Sequence, residues 1–133
     1  MTCLLRGFGR CAGRIEGHHW LNKSKARKGT AARKYIDDYV ERKRKAGRSI
    51  GLSENTMLHT LAYFFLVPIC HHHNATRKTA DTKWARRVIL ERLKALYGED
   101  LCREILDGIP WKGTYIDLSY DGIMAVEIPE EWE

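Results

Sequence analysis

Hydrophobic and polar positions divide the chain into stretches of different period. Gly7, Gly9, Gly13 and Gly17 punctuate the first twenty residues and predict tight turns, with a short strand near Arg14 to Ile15 running into His18 and His19. From residue 23 to 48 the pattern is charged apart from Tyr35, Ile36, Tyr39 and Val40, at i, i+1, i+4 and i+5. That spacing draws one apolar stripe on an otherwise basic helix, with Gly47 as its stop. So narrow a stripe reads as an insertion rather than as core. Ser53 has the chemistry of an N-cap and opens a short helix or turn toward Thr60. Leu61 to Cys70 is rich enough in aromatic and β-branched residues for a strand, which Pro68 would end at a sheet edge or bulge. A helix is expected from about His71, interrupted near Thr79 to Asp81. Trp84 to Leu96 carries the clearest helical pattern, with Trp84, Val88, Leu93 and Leu96 apolar and Gly98 at its end. Leu101 to Leu106 predicts a further short helix closed by Gly108 and Pro110. Tyr115 to Ile128 alternates about Asp121-Gly122, which is a hairpin signal. Strands and helices mixed in this order predict an α+β fold. Residues 1–98 form its main unit, and 99–133 an extension packed on the same domain.

A chain of 133 residues, 44% hydrophobic and 30% charged, fits one globular domain. Its core is small enough for a bound metal to matter. No apolar run approaches the ~20 residues of a membrane span, so a membrane partner is not expected. The N-terminus lacks the apolar stretch of a secretory signal, which makes the cytoplasm the expected location. Charge changes the picture more. Residues 1–50 carry fourteen Lys/Arg against four Asp/Glu, whereas residues 99–133 carry two against ten. A basic half beside an acidic half points to a polyanion on one side, although a solvated basic surface accounts for the charge equally well.

Four cysteines in an expected cytoplasmic setting read as metal binding rather than disulfides, because Cys70 adjoins three histidines. Cys3 and Cys11 flank a glycine-rich turn in a C-x7-C pattern; Cys70 and His73 form C-x2-H at a strand-to-helix junction. Two such pairs suit a closed tetrahedral zinc site, which is structural rather than catalytic. Spacing leaves open which of His71, His72 and His73 completes it. The plainer reading, ordinary buried thiols, fits Cys102, which lies on an amphipathic helix without a partner.

The ordered segments CLLRGFGRC, GRIEGHHW and FLVPICHHHNATRK resemble the zinc-supported HNH (ββα-metal, treble-clef) endonucleases, including small prophage-encoded members. The resemblance covers roughly residues 3–80. It implies a zinc-stapled ββα-metal core, with the basic stretch of about 23–48 as an insertion; the C-terminal helical and hairpin extension read from the residue pattern is not explained by it. By position, His18 corresponds to a ligand of a catalytic divalent metal, His19 to the general base, and Asn74 to a second metal ligand. An imidazole suits the base role near neutral pH, and Mg²⁺ or Mn²⁺ the phosphate chemistry. Arg77 and Lys78 are then placed to meet flanking phosphates, and Lys23, Lys25, Arg27 and Lys28 belong to a DNA-contacting arm. The motif's middle asparagine is absent; Phe65 stands there, and Asn55, upstream of the strand, reads as an ordinary loop residue rather than as its substitute in orienting His19. The implied function is DNA hydrolysis, compatible with a homodimer that no residue pattern announces. A zinc-supported DNA-binding module without catalysis shares every feature except the need for His19. An adaptor using the acidic C-terminal segment is a more distant alternative.

Overall fold

The computed structural model describes residues 2–21, 28–111 and 118–131. Strand β1 (Ile15–His19) pairs antiparallel with β2 (Leu66–Cys70), Ile15 opposite Cys70 and His19 opposite Leu66. Helices α1 (Ala31–Ser49) and α2 (Glu54–His59) lie between the strands in sequence. After β2 come a wide helical turn over His72–Thr76, a 3₁₀ turn over Thr79–Asp81, and helices α3 (Lys83–Tyr97), α4 (Glu99–Asp107) and α5 (Tyr120–Met124). The fold is α+β, as the mixed pattern predicts.

β2 is shorter than the expected Leu61–Cys70. Leu61 has φ 56°, outside strand geometry, and the chain becomes extended only at Leu66. Pro68 lies in the middle of β2 opposite Gly17, not at its end. Its carbonyl accepts from the Leu4 N–H at 2.9 Å, so its backbone polar groups face away from β1. The missing N–H of proline therefore costs no ladder bond.

α1 is not peripheral. Thr30 caps it by accepting from the Arg33 N–H, and its stripe, Ala32, Ile36 and Val40, is buried in the main core. Its far end also departs from expectation, because Gly47 does not stop it. Gly47 is a buried point of contact with α2, where an added Cβ would run into the Met57 thioether.

The helix expected from His71 is broken in two. Arg77 N–H bonds back five residues to His72 O, and Lys78 then takes φ 54°, which ends the turn. α3 restarts from Thr82, whose hydroxyl accepts from Ala85 N–H. Leu96 is 60% exposed rather than part of the buried stripe.

The C-terminal hairpin is not present over the described part of its range; residues 115–117 lie outside the described residues. Asp121-Gly122 lies inside α5, because Ser119 Oγ accepts from Gly122 N–H and starts a helical turn. Tyr120 and Ile123, three apart, are then buried together, which an alternating strand would not allow. One core cluster runs from Leu4 and Leu5 through Ile36, Val67 and Ile89 to Cys102, Leu106 and Ile123, so the acidic extension shares it. Among the described residues no helix is long and apolar enough to cross a membrane.

Candidate metal centre and the groove beside it

The N-terminal segment folds as a knuckle. Arg6 N–H bonds Cys3 O, Phe8 N–H bonds Leu5 O, and positive φ at Gly7 and Gly9 reverses the chain and returns Cys11 toward Cys3. Leu4 is tied to Pro68 of β2, which brings the knuckle over the strand end that carries Cys70. Three residues on, the wide turn presents His73. The ligand atoms of Cys3, Cys11, Cys70 and His73 all lie within 4.8 Å of one another.

The donor set fits zinc on its distances. Tetrahedral Zn²⁺ with Zn–S of about 2.3 Å and Zn–N of about 2.0–2.1 Å places nitrogen and sulfur roughly 3.5 Å apart. His73 Nδ1 lies 3.2 Å from Cys70 Sγ, 3.5 Å from Cys3 Sγ and 3.7 Å from Cys11 Sγ. The other ring nitrogen, Nε2, is 2.8 Å from Phe8 O. A proton on Nε2 donated to that carbonyl leaves Nδ1 with its lone pair aimed at the three sulfurs, the arrangement a metal-binding imidazole needs. Leu5 N–H donates to Cys3 Sγ at 3.3 Å.

Electrostatics agree with a cation at the centre. Burial pushes the Cys3 thiol up to about 12 and raises Cys11 as well. At Cys70 burial acts the same way, but hydrogen bonds from the His73 and Ala12 backbone and from the neighbouring thiols outweigh it and lower the thiol. Three thiolates brought this close together call for a bound cation. Cys102 stays apart, buried on α4 and outside the cluster.

His73 therefore completes the cluster, a choice the three-histidine run leaves open. His71 turns the other way, with Nδ1 3.0 Å from Glu16 Oε2, while His72 is buried with its ring 5.8 Å from that of His73. Glu16 also accepts from Asn74 Nδ2 at 3.1 Å through Oε1 and from Arg14 Nε at 3.0 Å. Hydrogen bonds from His71 and Asn74 hold the Glu16 carboxyl below the usual range. With its amide nitrogen committed to Glu16, Asn74 keeps its carbonyl oxygen, a hard ligand, for another partner.

Strand alternation puts Glu16 and His18 on one face of β1 and His19 on the other, since His19 is still paired with Leu66. His18 thus shares a face with the Glu16–Asn74 pair. His19 lines a groove of about 620 Å³ with Arg14, Glu16, Arg44, Ser53 and Asn55. His18 and Asn74 are not among the residues that line it. Arg44 reaches in from α1, its guanidinium 3.3 Å from Glu54 and its Nε sheltered from solvent with no acceptor among the described residues.

Of the basic residues expected to touch DNA, Lys28, Arg77 and Lys78 are exposed, whereas Lys23, Lys25 and Arg27 lie outside the described residues. Phe65, at the position of the motif's middle asparagine, is fully buried and packs edge-on against Phe64 and Tyr39. Asn55 borders the His19 groove. Sequence reasoning passed over Glu16 and Arg44. The signal for Glu16 is its place two residues before His18 on one strand face; Arg44 carried none, lying in a run of four basic residues. Comparison of the chain with protein-family models, curated proteins and solved structures finds no match.

Proposed function

We propose that this chain is a metal-dependent DNA endonuclease of the HNH type, its ββα-metal core held by a structural zinc at Cys3, Cys11, Cys70 and His73. The observation that carries this reading is the groove lined by both His19 and Glu16. Glu16 fixes the Asn74 amide, whose carbonyl, with His18 on the same strand face, is suited to a hard divalent cation. His19 supplies an imidazole, a group suited to taking a proton near neutral pH. In this reading a phosphodiester in the groove meets His19 and, beside Glu16, the cation.

In this mechanism His19 takes a proton from water, the resulting hydroxide attacks phosphorus, and the P–O bond to the leaving 3′ oxygen breaks. The products are a phosphate monoester and an alcohol, with the proton returned to the leaving oxygen. Bound Mg²⁺ or Mn²⁺ supplies neutralisation of the phosphate and of the charge developing on the leaving oxygen. Arg44, Arg77, Lys78 and Lys28 add positive charge around the path of the backbone.

Incubation of the zinc-loaded protein with plasmid DNA and Mg²⁺ or Mn²⁺ tests the reading. Nicking that needs the divalent ion and falls by about 10²–10⁴ in His19→Ala supports it, that being the range of a lost general base. DNA binding without cleavage under any of these metals overturns it in favour of a zinc-supported DNA-binding module. Phe65, buried and apolar at the position of the motif's middle asparagine, favours that second reading.

A further inference from the structure

Away from the His19 groove, α1 and α4 form the walls of a second, apolar one of about 360 Å³, lined by Tyr39, Lys43, Ile50, Leu52, Leu101 and Ile105 among others. Three large hydrophobic residues are exposed among the described residues: Ile50 at 74%, Leu96 at 60% and Leu101 at 41%. Two of the three border this groove. Apolar side chains that concentrate at one concave site mark an interaction surface rather than ordinary scatter.

The charges around the groove identify the occupant. α1 carries seven Lys/Arg against three Asp/Glu, and α4 carries four Asp/Glu against one Arg. On the α1 side, Arg42 and Lys43 rest against the Tyr39 ring at 5.4 Å and have no carboxylate partner among the described residues. On the α4 side, Asp100 and Glu104 are exposed and have no cationic partner there either, since Arg103 and Lys94 are taken by Glu99 and Asp121. Lys43 lines the groove, and Arg42, Asp100 and Glu104 lie on the two helices that flank it, so cations without a carboxylate partner among the described residues stand on one helix and carboxylates without a cationic partner on the other, with exposed aliphatic side chains between. A surface that carries both halves of a match is what a two-fold interface needs, where each patch meets its own copy turned round.

We propose that this groove is the contact between two copies of the chain, Ile50 and Leu101 filling the centre and the α1 cations of each copy facing the α4 carboxylates of the other. The inference does not depend on nuclease activity.

Sedimentation of the zinc-loaded protein over micromolar concentrations tests it, with reciprocal charge swaps. A concentration-dependent dimer is expected. Lys43→Glu and Glu104→Lys should each weaken it by roughly tenfold, and the double variant should recover most of that loss. Arg42→Glu with Asp100→Lys gives an independent pair should either first variant fold poorly, as judged by circular dichroism and zinc content. A wild-type protein that stays monomeric throughout overturns the proposal. So does a dimer whose double swaps are no stronger than the single ones, which would place the interface elsewhere.

Discussion

Glu16 is 18% exposed and holds a histidine, an asparagine and an arginine through its two oxygens. Hydrogen bonds to an ionised carboxylate are stronger than neutral ones, so Glu16→Gln should cost about 1–2 kcal/mol at neutral pH. The pH dependence has a definite sign. The folded-state carboxyl titrates below its ordinary 4.5, so its contribution is complete above 4.5 and is lost as pH falls through the lower folded value. Urea unfolding of wild type and Glu16→Gln across that acid range should show the two converging; a gap that persists at the acid end would mean the carboxylate charge is not what stabilises the site. At this scale the metal cluster was legible in part. Cys3, Cys11 and Cys70 stood out by spacing, but the choice of His73 depends on where the Phe8 carbonyl falls, which no local pattern encodes. Glu16 looked like any polar strand residue until Asn74, 58 positions later, came back to it.

Between elements, the tightest approach concerns α1 and α2. At Gly47 they pack closely, and the space its side chain would need is filled by Met57, itself 1% exposed. Gly47→Ala gains helix propensity yet forces Met57 aside, and overpacking of this kind costs about 1–3 kcal/mol. Thermal unfolding should therefore show a lower midpoint for Gly47→Ala; a raised one would mean that Met57 yields freely. The same position explains why α1 was misread from sequence. A glycine near the end of a charged helix looks like a stop, and it is a stop unless another element needs the space. The C-terminal segment failed for a related reason. Asp121-Gly122 is a strong turn signal locally, but Ser119 supplies a cap, and Arg103 pairs with Asp121 at 3.0 Å from α4. Tertiary partners decided between two local possibilities, and only one of them was visible in the chain.

Taken as one molecule, the protein joins its first and last thirds through a single core, with the metal cluster at the junction of knuckle, strand and turn. A metal such as zinc bound there would contribute folding free energy directly, so Cys70→Ser or strong chelation should lower the thermal midpoint sharply. Cys102→Ser is the matched control, because Cys102 is a buried thiol outside the cluster; it should keep its zinc and lose far less stability. Equal loss in both variants, with zinc retained in Cys70→Ser, would remove the stapling role. The overall architecture was readable to the extent that it rests on local pattern: α+β class, β1, α3, α4 and the cap at Ser53. What was not readable is the division between core and periphery. Ile36 and Val40 look like a modest stripe on a basic helix, and only the packed molecule shows that they lie at its centre.

The separation of the ligands along the chain also sets an order in time. Cys3 and Cys11 leave the ribosome as a pair, while His73 comes 70 and 62 positions after them. During synthesis the N-terminal knuckle can hold a metal only by half, and most of the chain up to the second pair, α1 included, must emerge before the ring of ligands closes. Joining ends so far apart costs more loop entropy than joining neighbours. A metal held by all four ligands would thus be captured late, once the chain between the two pairs has been made.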